Sequence, residues 1–139
     1  MKLYFDVNVL LDVLADRAPW ADDAAALLSL VERGHAAGLI GAQTVTTLSY
    51  LLGRELGAKR ASKAIVDLLK LVTVVPLDED RLLHALALQW ADFEDAVQAA
   101  CALKAEADYI VTRDKEGFVD SDVPPIAPAE LLSLLRSSG

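Results

Sequence analysis

The sequence predicts a single three-layer α/β domain in which helices cover both faces of a mostly parallel sheet. Short apolar runs rich in Val and Ile alternate with longer segments whose apolar residues recur every three or four positions. The connections are short, and no repeat or linker divides the 139 residues, a length that suits one domain with one core. Elements that alternate in this way favour a parallel sheet, because each connection between parallel strands carries a helix across one face.

The first half of the chain is predicted to contain three strands and four helices. The apolar run Leu3-Tyr4-Phe5 resembles a short buried strand, and the strand that ends at Pro76 is β-branched. Gly57 separates two helices as a C-cap. The predicted strands are 3–5, 37–42 and 72–76, and the predicted helices are 8–14, 20–33, 44–56 and 58–71.

The second half continues the alternation. Asp78 caps a helix that runs to about residue 90, and another helix spans about 92–105. A clear strand follows at 109–112, and after a polar loop a short edge strand is predicted at 124–126. Pro128 suits the first turn of a final helix, because its missing N–H would be unpaired there in any case.

Composition excludes several classes of protein. Apolar residues make up 54% of the chain, which excludes a disordered chain, yet no apolar run approaches the roughly 18 residues of a spanning helix. The opening apolar stretch is too short for a signal peptide. The single cysteine, Cys101, excludes a disulfide framework, so we expect a cytoplasmic protein with a buried thiol.

The net charge of −8 argues against a protein that coats nucleic acid through bulk electrostatics. The charge is uneven, however, because residues 54–70 are locally basic and residues 78–95 are acidic. Two interpretations remain open. Either the basic helix holds a phosphate backbone beside an acidic site, or both segments are simply solvated helix faces.

Four aspartates occupy the ends of predicted elements. The first strand runs into Asp6, the late strand runs through Thr112 and Arg113 into Asp114, and the preceding helix opens with Asp92 and Asp95. Ligands of parallel α/β sheets bind beyond the carboxyl ends of the strands. The sequence therefore predicts that Asp6, Asp92, Asp95 and Asp114 converge on one rim of the sheet.

Such convergence requires protons or a cation. Two carboxylates about 4 Å apart repel by roughly 4 kcal/mol at an effective dielectric near 20. His35 and His84 stand alone in the sequence, so oxygen ligands dominate, and these favour Mg²⁺ or Mn²⁺. Such an ion promotes phosphodiester hydrolysis. Taken singly, Asp92 or Asp95 is also explained as an N-cap and Asp114 as a turn residue.

Three segments, FDVNVLLDVL, DFEDAVQAACALKAEADYIVTRDKEGF and PAELLSLL, resemble the PIN-domain family, in particular the VapC-like toxin ribonucleases. The resemblance covers nearly the whole chain. It implies a parallel sheet between helical layers and a Mg²⁺- or Mn²⁺-dependent endoribonuclease that hydrolyses RNA phosphodiester bonds. It also implies the toxin role in a type II toxin–antitoxin pair, with RNA as substrate and an antitoxin as partner.

The resemblance also implies roles for individual residues. Asp6, Asp95 and Asp114 match the family's catalytic and metal-binding acids, and Asp92 would assist as a ligand through water. The remaining roles are Asn8, Thr47 and Thr112 as supporting residues and Arg113 and Lys115 as phosphate contacts.

Position 47 departs from the family pattern. The stretch Thr44-Val45-Thr46-Thr47-Leu48 matches a family element that commonly carries a glutamate where Thr47 stands. A hydroxyl accepts a hydrogen bond from a metal-bound water but adds no charge. An alternative is therefore a catalytically weak or inactive PIN-like module that binds RNA or protein.

Two further expectations concern other classes and partners. A phosphorylated Asp6 would need a second aspartate two residues on, as in haloacid-dehalogenase-like phosphatases, and Asn8 stands there instead. Apolar residues in the helical pair 44–71 either complete the core or form a homodimer or antitoxin surface. They are Leu48, Tyr50, Leu51, Leu52, Leu68 and Leu69.

Overall fold

The computed structural model describes residues 1–138 and consists of five strands and seven α-helices. The strands are β1 (Lys2–Phe5), β2 (Ala37–Gly41), β3 (Val72–Val75), β4 (Tyr109–Val111) and β5 (Pro125–Ile126). The helices are α1 (Val7–Leu14), α2 (Ala21–Glu32), α3 (Ala42–Leu56), α4 (Ala58–Leu69), α5 (Glu79–Leu88), α6 (Phe93–Lys104) and α7 (Pro128–Ser138). The predicted elements are all present, with ends that shift by one to two residues in most cases.

The sheet is parallel throughout and has the order β3-β2-β1-β4-β5. The chain builds outward from β1 to β3, then crosses to the other side of β1 to add β4 and β5. The direction of winding therefore reverses between β1 and β4, where Phe5 lies opposite Val111. This reversal is the topological switch point, at which α/β sheets bind their ligands.

Two hydrophobic cores lie on opposite faces of the sheet, because successive side chains of a strand point to opposite sides. Leu3 and Phe5 of β1 belong to the core under α1, α2, α3, α4 and α7, whereas Tyr4 belongs to the core under α5 and α6. The second core is lined by small residues of α6, from Ala96 to Ala102, which let that helix approach the sheet closely. The predicted three-layer α/β architecture with a parallel sheet is confirmed.

The structure departs from the sequence prediction in the segment after β4. Residues 115–118, predicted as part of a polar loop, form a short 3₁₀ helix (Lys115–Phe118). Its first turn is closed by the Asp114 carboxylate, which accepts a hydrogen bond from the Gly117 amide at 3.3 Å. The turn buries Phe118 against the core under α6. This packing fixes the loop that carries Asp114.

The apolar residues of α3 and α4 divide between the core and the surface. Buried members are Leu48, Leu52 and Leu68, Leu51 is half-buried, and Tyr50 and Leu69 are exposed. Most of this set therefore completes the core. Within residues 1–138, none of the helices has the length and apolar character needed to cross a bilayer.

Candidate active site

Asp6 follows β1 directly and lies at the switch point of the sheet. Its amide donates to the carbonyl of Val111 at 3.0 Å, so the backbone ladder continues one residue past the strand. The side chain is 5% exposed. Its Oδ2 accepts from the Thr112 hydroxyl at 2.9 Å and its Oδ1 accepts from Gln98 Nε2 at 3.2 Å. A buried carboxylate is thus held by two neutral donors and by no cation among the described residues.

Burial raises the pKa of Asp6 above its ordinary value, and the hydrogen bonds from Thr112 and Gln98 offset part of that rise. The folded chain therefore disfavours the charged form of Asp6. A cation close to this carboxylate would reverse that preference, because opposite charge favours ionisation.

Asp114 is placed beside Asp6 through Thr112. The Asp114 amide donates to the Thr112 hydroxyl at 3.0 Å, and the same hydroxyl donates to Asp6. Thr112 is fully buried, whereas Asp114 is exposed at the start of the 3₁₀ helix. One buried hydroxyl therefore links the end of β1 to the loop after β4.

Helix α6 brings the remaining acids to the same rim. Asp92 is its N-cap, and Asp92 Oδ1 accepts from the Asp95 amide at 3.0 Å. Asp95 lies in the first turn, half-buried, and Gln98 follows one turn later on the same face. The helix begins here because the Asp92 carboxylate satisfies an amide that would otherwise lack a partner.

Gly117 is the point where two of these acids meet. A Cβ atom at this position would lie 2.8 Å from Asp95 Oδ2 and 2.9 Å from Asp114 Oδ2. Both carboxylates therefore approach one small volume that any larger side chain would fill. Glycine at this position keeps that volume open.

The electrostatics of the rim show that its negative charge is uncompensated. The pKa of Asp95 is raised to about 7, first by burial and then by repulsion from Asp92, Asp6, Asp114 and Glu94. Repulsion from three of the predicted site acids acts on the fourth, so each of the three lies within electrostatic reach of Asp95. The rim can gain stability by taking up a proton or a cation.

The donor set suits a hard divalent cation. The converging groups are carboxylates, the space beside Gly117 is open, and burial together with the neighbouring acids raises the pKa of Asp95. Within residues 1–138, no three His, Cys, Asp or Glu side chains already stand close enough together to form a complete ligand set. The four aspartates are therefore candidate ligands by their chemistry and do not form a closed cluster in the structure.

A cavity of about 580 Å³ adjoins the rim. Asp92, Asp95 and Gly117 line one side, and Trp90 lines another. The edge of Trp90 packs against Phe118, with ring centroids 6.3 Å apart, so the 3₁₀ helix and the turn before α6 are held together. The cavity provides space for a ligand beside the acids.

The structure places the other predicted site residues as follows. Asn8 is exposed in the first turn of α1. Thr47 is half-buried on α3, and its hydroxyl donates to the carbonyl of Gln43, one turn earlier, at 3.3 Å. A threonine that bonds to its own helix in this way adds no charge to the rim.

The two predicted phosphate contacts are already engaged. Arg113 forms a bidentate ion pair with Asp12, with Nε–Oδ2 2.7 Å and Nη2–Oδ1 3.3 Å, and its guanidinium lies 3.9 Å from the centroid of the Trp20 ring. Lys115 lies 2.8 Å from a carboxylate oxygen of Glu130. Neither side chain is a free cation beside the acids.

Sequence reasoning missed Asp12 and Gln98. Asp12 is a charged residue within the apolar run VNVLLDVL, and Gln98 is an amide within the small apolar run AVQAACA. A polar residue on an otherwise apolar helix face needs a partner when it is buried. That exception to the pattern is the signal that identifies both residues.

The fold and the acidic rim together define a parallel α/β domain with a carboxylate-lined candidate active site. The sequence model of the PIN domain matches residues 2–116. The chain therefore belongs to the PIN-domain family, whose members include ribonucleases. A search of curated protein sequences gives no match.

Solved structures of similar fold include three bacterial proteins. VapBC2 from Rickettsia felis, bound to a DNA fragment from its promoter, aligns with a TM-score of 0.72 at 12% identity over 91% of this chain and 98% of that chain. VapC20 from Mycobacterium tuberculosis, a sarcin–ricin loop cleaving toxin, gives 0.69 at 15% identity over 85% and 94%. FitAcB from Neisseria gonorrhoeae gives 0.70 at 22% identity over 91% and 98%. At these identities the likeness concerns the fold.

Proposed function

We propose that this PIN-domain protein is a divalent-cation-dependent endoribonuclease that hydrolyses RNA phosphodiester bonds. The observation that carries the proposal is the gathering of four unneutralised aspartates at the switch point of the sheet, with the pKa of Asp95 raised to about 7. Family membership supplies the reaction class, since PIN domains include ribonucleases.

In this proposal Asp6, Asp95 and Asp114 hold Mg²⁺ or Mn²⁺, and Asp92 assists through water while it caps α6. The bound ion supplies a nucleophilic water and neutralises charge that develops on the phosphate. Thr112 and Gln98 hold the carboxylate of Asp6, and Gly117 leaves room between Asp95 and Asp114.

The RNA strand would approach through the cavity beside Trp90. Lys115 is the better of the two predicted phosphate contacts, because its pairing with Glu130 is exposed and easily exchanged. Arg113 would have to leave Asp12, which is 1% exposed, and that step would strand a buried charge. We therefore assign Arg113 to holding the structure together and Lys115 to the substrate.

The toxin role and its partners belong to the same proposal. The similar folds include VapBC2 and FitAcB, which support an antitoxin as the binding partner of this cytoplasmic toxin. A homodimer would use the exposed apolar residues Tyr50 and Leu69 of α3 and α4. Sedimentation at micromolar concentration tests this point, and strictly monomeric behaviour would remove the dimer from the proposal.

A second candidate function is a PIN-like module that binds RNA or protein without cleavage. Thr47 favours it, because this position carries no carboxylate and its hydroxyl bonds to its own helix. Under this alternative the rim would still bind a cation, but no cleavage would follow.

Incubation of a mixed RNA pool with the purified chain tests the proposal. Cleavage is expected in Mn²⁺ or Mg²⁺ and is expected to stop in chelator and in Asp6→Asn. A matched control is Asp22→Asn, which changes an exposed aspartate in the first turn of α2. Cleavage that persists in chelator or in Asp6→Asn would contradict the proposal, and cation binding without cleavage would favour the binding module.

A further inference from the structure

Gln98 is a buried amide that contacts the candidate site. Its side chain is 2% exposed and lies among the small apolar residues of α6. Nε2 donates to Asp6 Oδ1 at 3.2 Å. The amide nitrogen is the atom that faces Asp6, which is the orientation that a charged carboxylate requires, because it has no proton to donate. The amide oxygen then points away, and it is buried with no hydrogen-bond partner among the described residues.

The amide oxygen of Gln98, unpaired within the described chain, makes this residue unfavourable as a core residue. A buried polar atom without a partner destabilises the folded state, because it has lost its hydrogen bonds to water. An apolar side chain of similar length would avoid that cost and would pack well against the alanines of α6. The amide at position 98 therefore contributes something other than packing.

The hydrogen bonds around Asp6 suggest what that contribution is. Thr112 holds Oδ2 of Asp6, and Thr112 also accepts from the amide of Asp114 on its own loop. Gln98 holds Oδ1 of Asp6, and it lies one turn after Asp95 on its own helix. Each of the two neighbouring acids thus has one neutral residue on its own element that reaches across to Asp6.

We propose that Gln98 is a positioning residue that fixes the carboxylate of Asp6 relative to Asp95, as Thr112 fixes it relative to Asp114. Donors on both oxygens set the plane of the carboxylate, a torsion that is otherwise broad. With either donor removed, the group turns and the spacing of the acids changes. This inference rests on the proposed function, because the spacing matters for a shared cation.

The test compares Gln98→Met with Gln43→Met. Gln43 is a half-buried residue whose amide atoms are buried, and it lies beside Tyr4 and Gly41 rather than on Asp6. Mn²⁺ affinity is measured by calorimetry, and melting temperature is measured in chelator and in Mn²⁺. Loss of a residue that orients a metal ligand typically lowers affinity by 10- to 100-fold. We expect a loss of about 10-fold or more for Gln98→Met and no more than about twofold for Gln43→Met.

The readouts separate positioning from a structural role. A merely structural Gln98 would lower the melting temperature equally in chelator and in Mn²⁺ and leave Mn²⁺ affinity unchanged, which would overturn the inference. A wild-type chain that binds no Mn²⁺ would overturn the proposed function together with this inference. If Gln98→Met does not fold, Gln98→Asn replaces it, because the amide is kept but falls one methylene short of Asp6. The same loss of Mn²⁺ affinity is expected there, and an unchanged affinity would again overturn the inference.

In the Asp6→Asn background, Gln98→Met should cause little further loss of Mn²⁺ affinity, since the group that it positions is already altered. Losses that simply add in the double variant would show that Gln98 acts independently of Asp6, which would also overturn the inference.

Discussion

Two buried aspartates, Asp6 and Asp12, lie six positions apart near the start of the chain, and their carboxylates have different kinds of partner. Asp12 is 1% exposed and forms a bidentate ion pair with Arg113, whose guanidinium also stacks on Trp20. Asp6 is 5% exposed, accepts hydrogen bonds from the Thr112 hydroxyl and the Gln98 amide, and forms no ion pair with a described residue. Asp12 is therefore neutralised by Arg113, whereas Asp6 has no cationic partner among the described residues.

The difference shows how burial can serve two purposes. The ion pair between Asp12 and Arg113 connects α1 to the loop after β4. Because both oxygens of the Asp12 carboxylate contact Arg113, this aspartate is not available to a ligand. A carboxylate held by neutral donors keeps its orientation and has no built-in cation, so a cationic ligand can still pair with it. The location of Asp6 at the switch point, beside Asp95 and Asp114, suits the second purpose.

The largest expected effect comes from removing the built-in cation. Arg113→Met should lower the free energy of unfolding by about 3–5 kcal/mol, because it leaves Asp12 charged, buried and unpaired. Urea denaturation in chelator measures the loss. The double variant Asp12→Asn/Arg113→Met should recover part of it, since no buried charge remains. A loss below about 1 kcal/mol in the single variant would show that the ion pair is dispensable.

Asp6→Asn should weaken the binding of Mn²⁺ and change the stability of the ion-free protein little. Wild-type protein at 100 times its Kd for Mn²⁺ should gain about 2.7 kcal/mol of stability, because the ion binds only the folded state. Asp6→Asn should lose most of this gain, whereas in chelator its stability should stay within about 1 kcal/mol of wild type. Thermal melts with and without Mn²⁺ check both statements. An equal response to Mn²⁺ in the two proteins would place the ion elsewhere.

The pH dependence of stability should report the raised pKa of Asp95 at the rim. The pKa of Asp95 rises from 3.8 to about 7 on folding, so the folded chain binds a proton that the unfolded chain releases. The resulting stabilisation is fully present below pH 3.8 and is lost as pH rises through about 7. In chelator, stability attributable to Asp95 should therefore fall between about pH 4 and pH 7.

Asp95→Asn should flatten this slope, and the exposed control Asp22→Asn should keep it. Denaturant melts at a series of pH values give the comparison. Mn²⁺ should compete with the same proton, so its affinity should weaken as pH falls below about 7. A slope that is unchanged in Asp95→Asn would assign the titration to another group.

The smallest expected effect concerns position 47. If this position faces the rim as the family pattern implies, Thr47→Glu should strengthen Mn²⁺ binding and should destabilise the protein by about 1 kcal/mol in chelator through added repulsion. The two signs are opposite, which makes the pair of measurements informative. Stability within about 0.5 kcal/mol of wild type in both conditions would place residue 47 away from the acids.

Much of the architecture could be predicted because periodicity and strand ends are local properties. The alternation of elements indicates the parallel sheet, and the aspartates that follow β1 and β4 must lie on one rim when the strands are parallel. Asp92 and Asp95 could be placed near that rim because they open the helix before β4.

The hydrogen-bond and ion-pair partners of the site residues could not be predicted, because these contacts join distant parts of the chain. Arg113 was expected to face a phosphate, yet its partner Asp12 lies 101 residues earlier. The contact between Gln98 and Asp6 spans 92 residues. The 3₁₀ helix at Lys115–Phe118 depends on the burial of Phe118 and on a single bond from Gly117 to Asp114, neither of which leaves a periodic signal.

The residues that form the rim are far apart in the sequence, and this separation has a consequence during synthesis of the chain. Asp6 and Thr112 lie 106 residues apart, and β4 must pair with β1 before the acids can meet. At about 5–20 residues per second, a ribosome needs on the order of 5–20 s to extend from the first to the second. Until the end of that interval the nascent chain carries Asp6 without Thr112 and Asp114, so the complete rim cannot assemble while this part of the chain is being made.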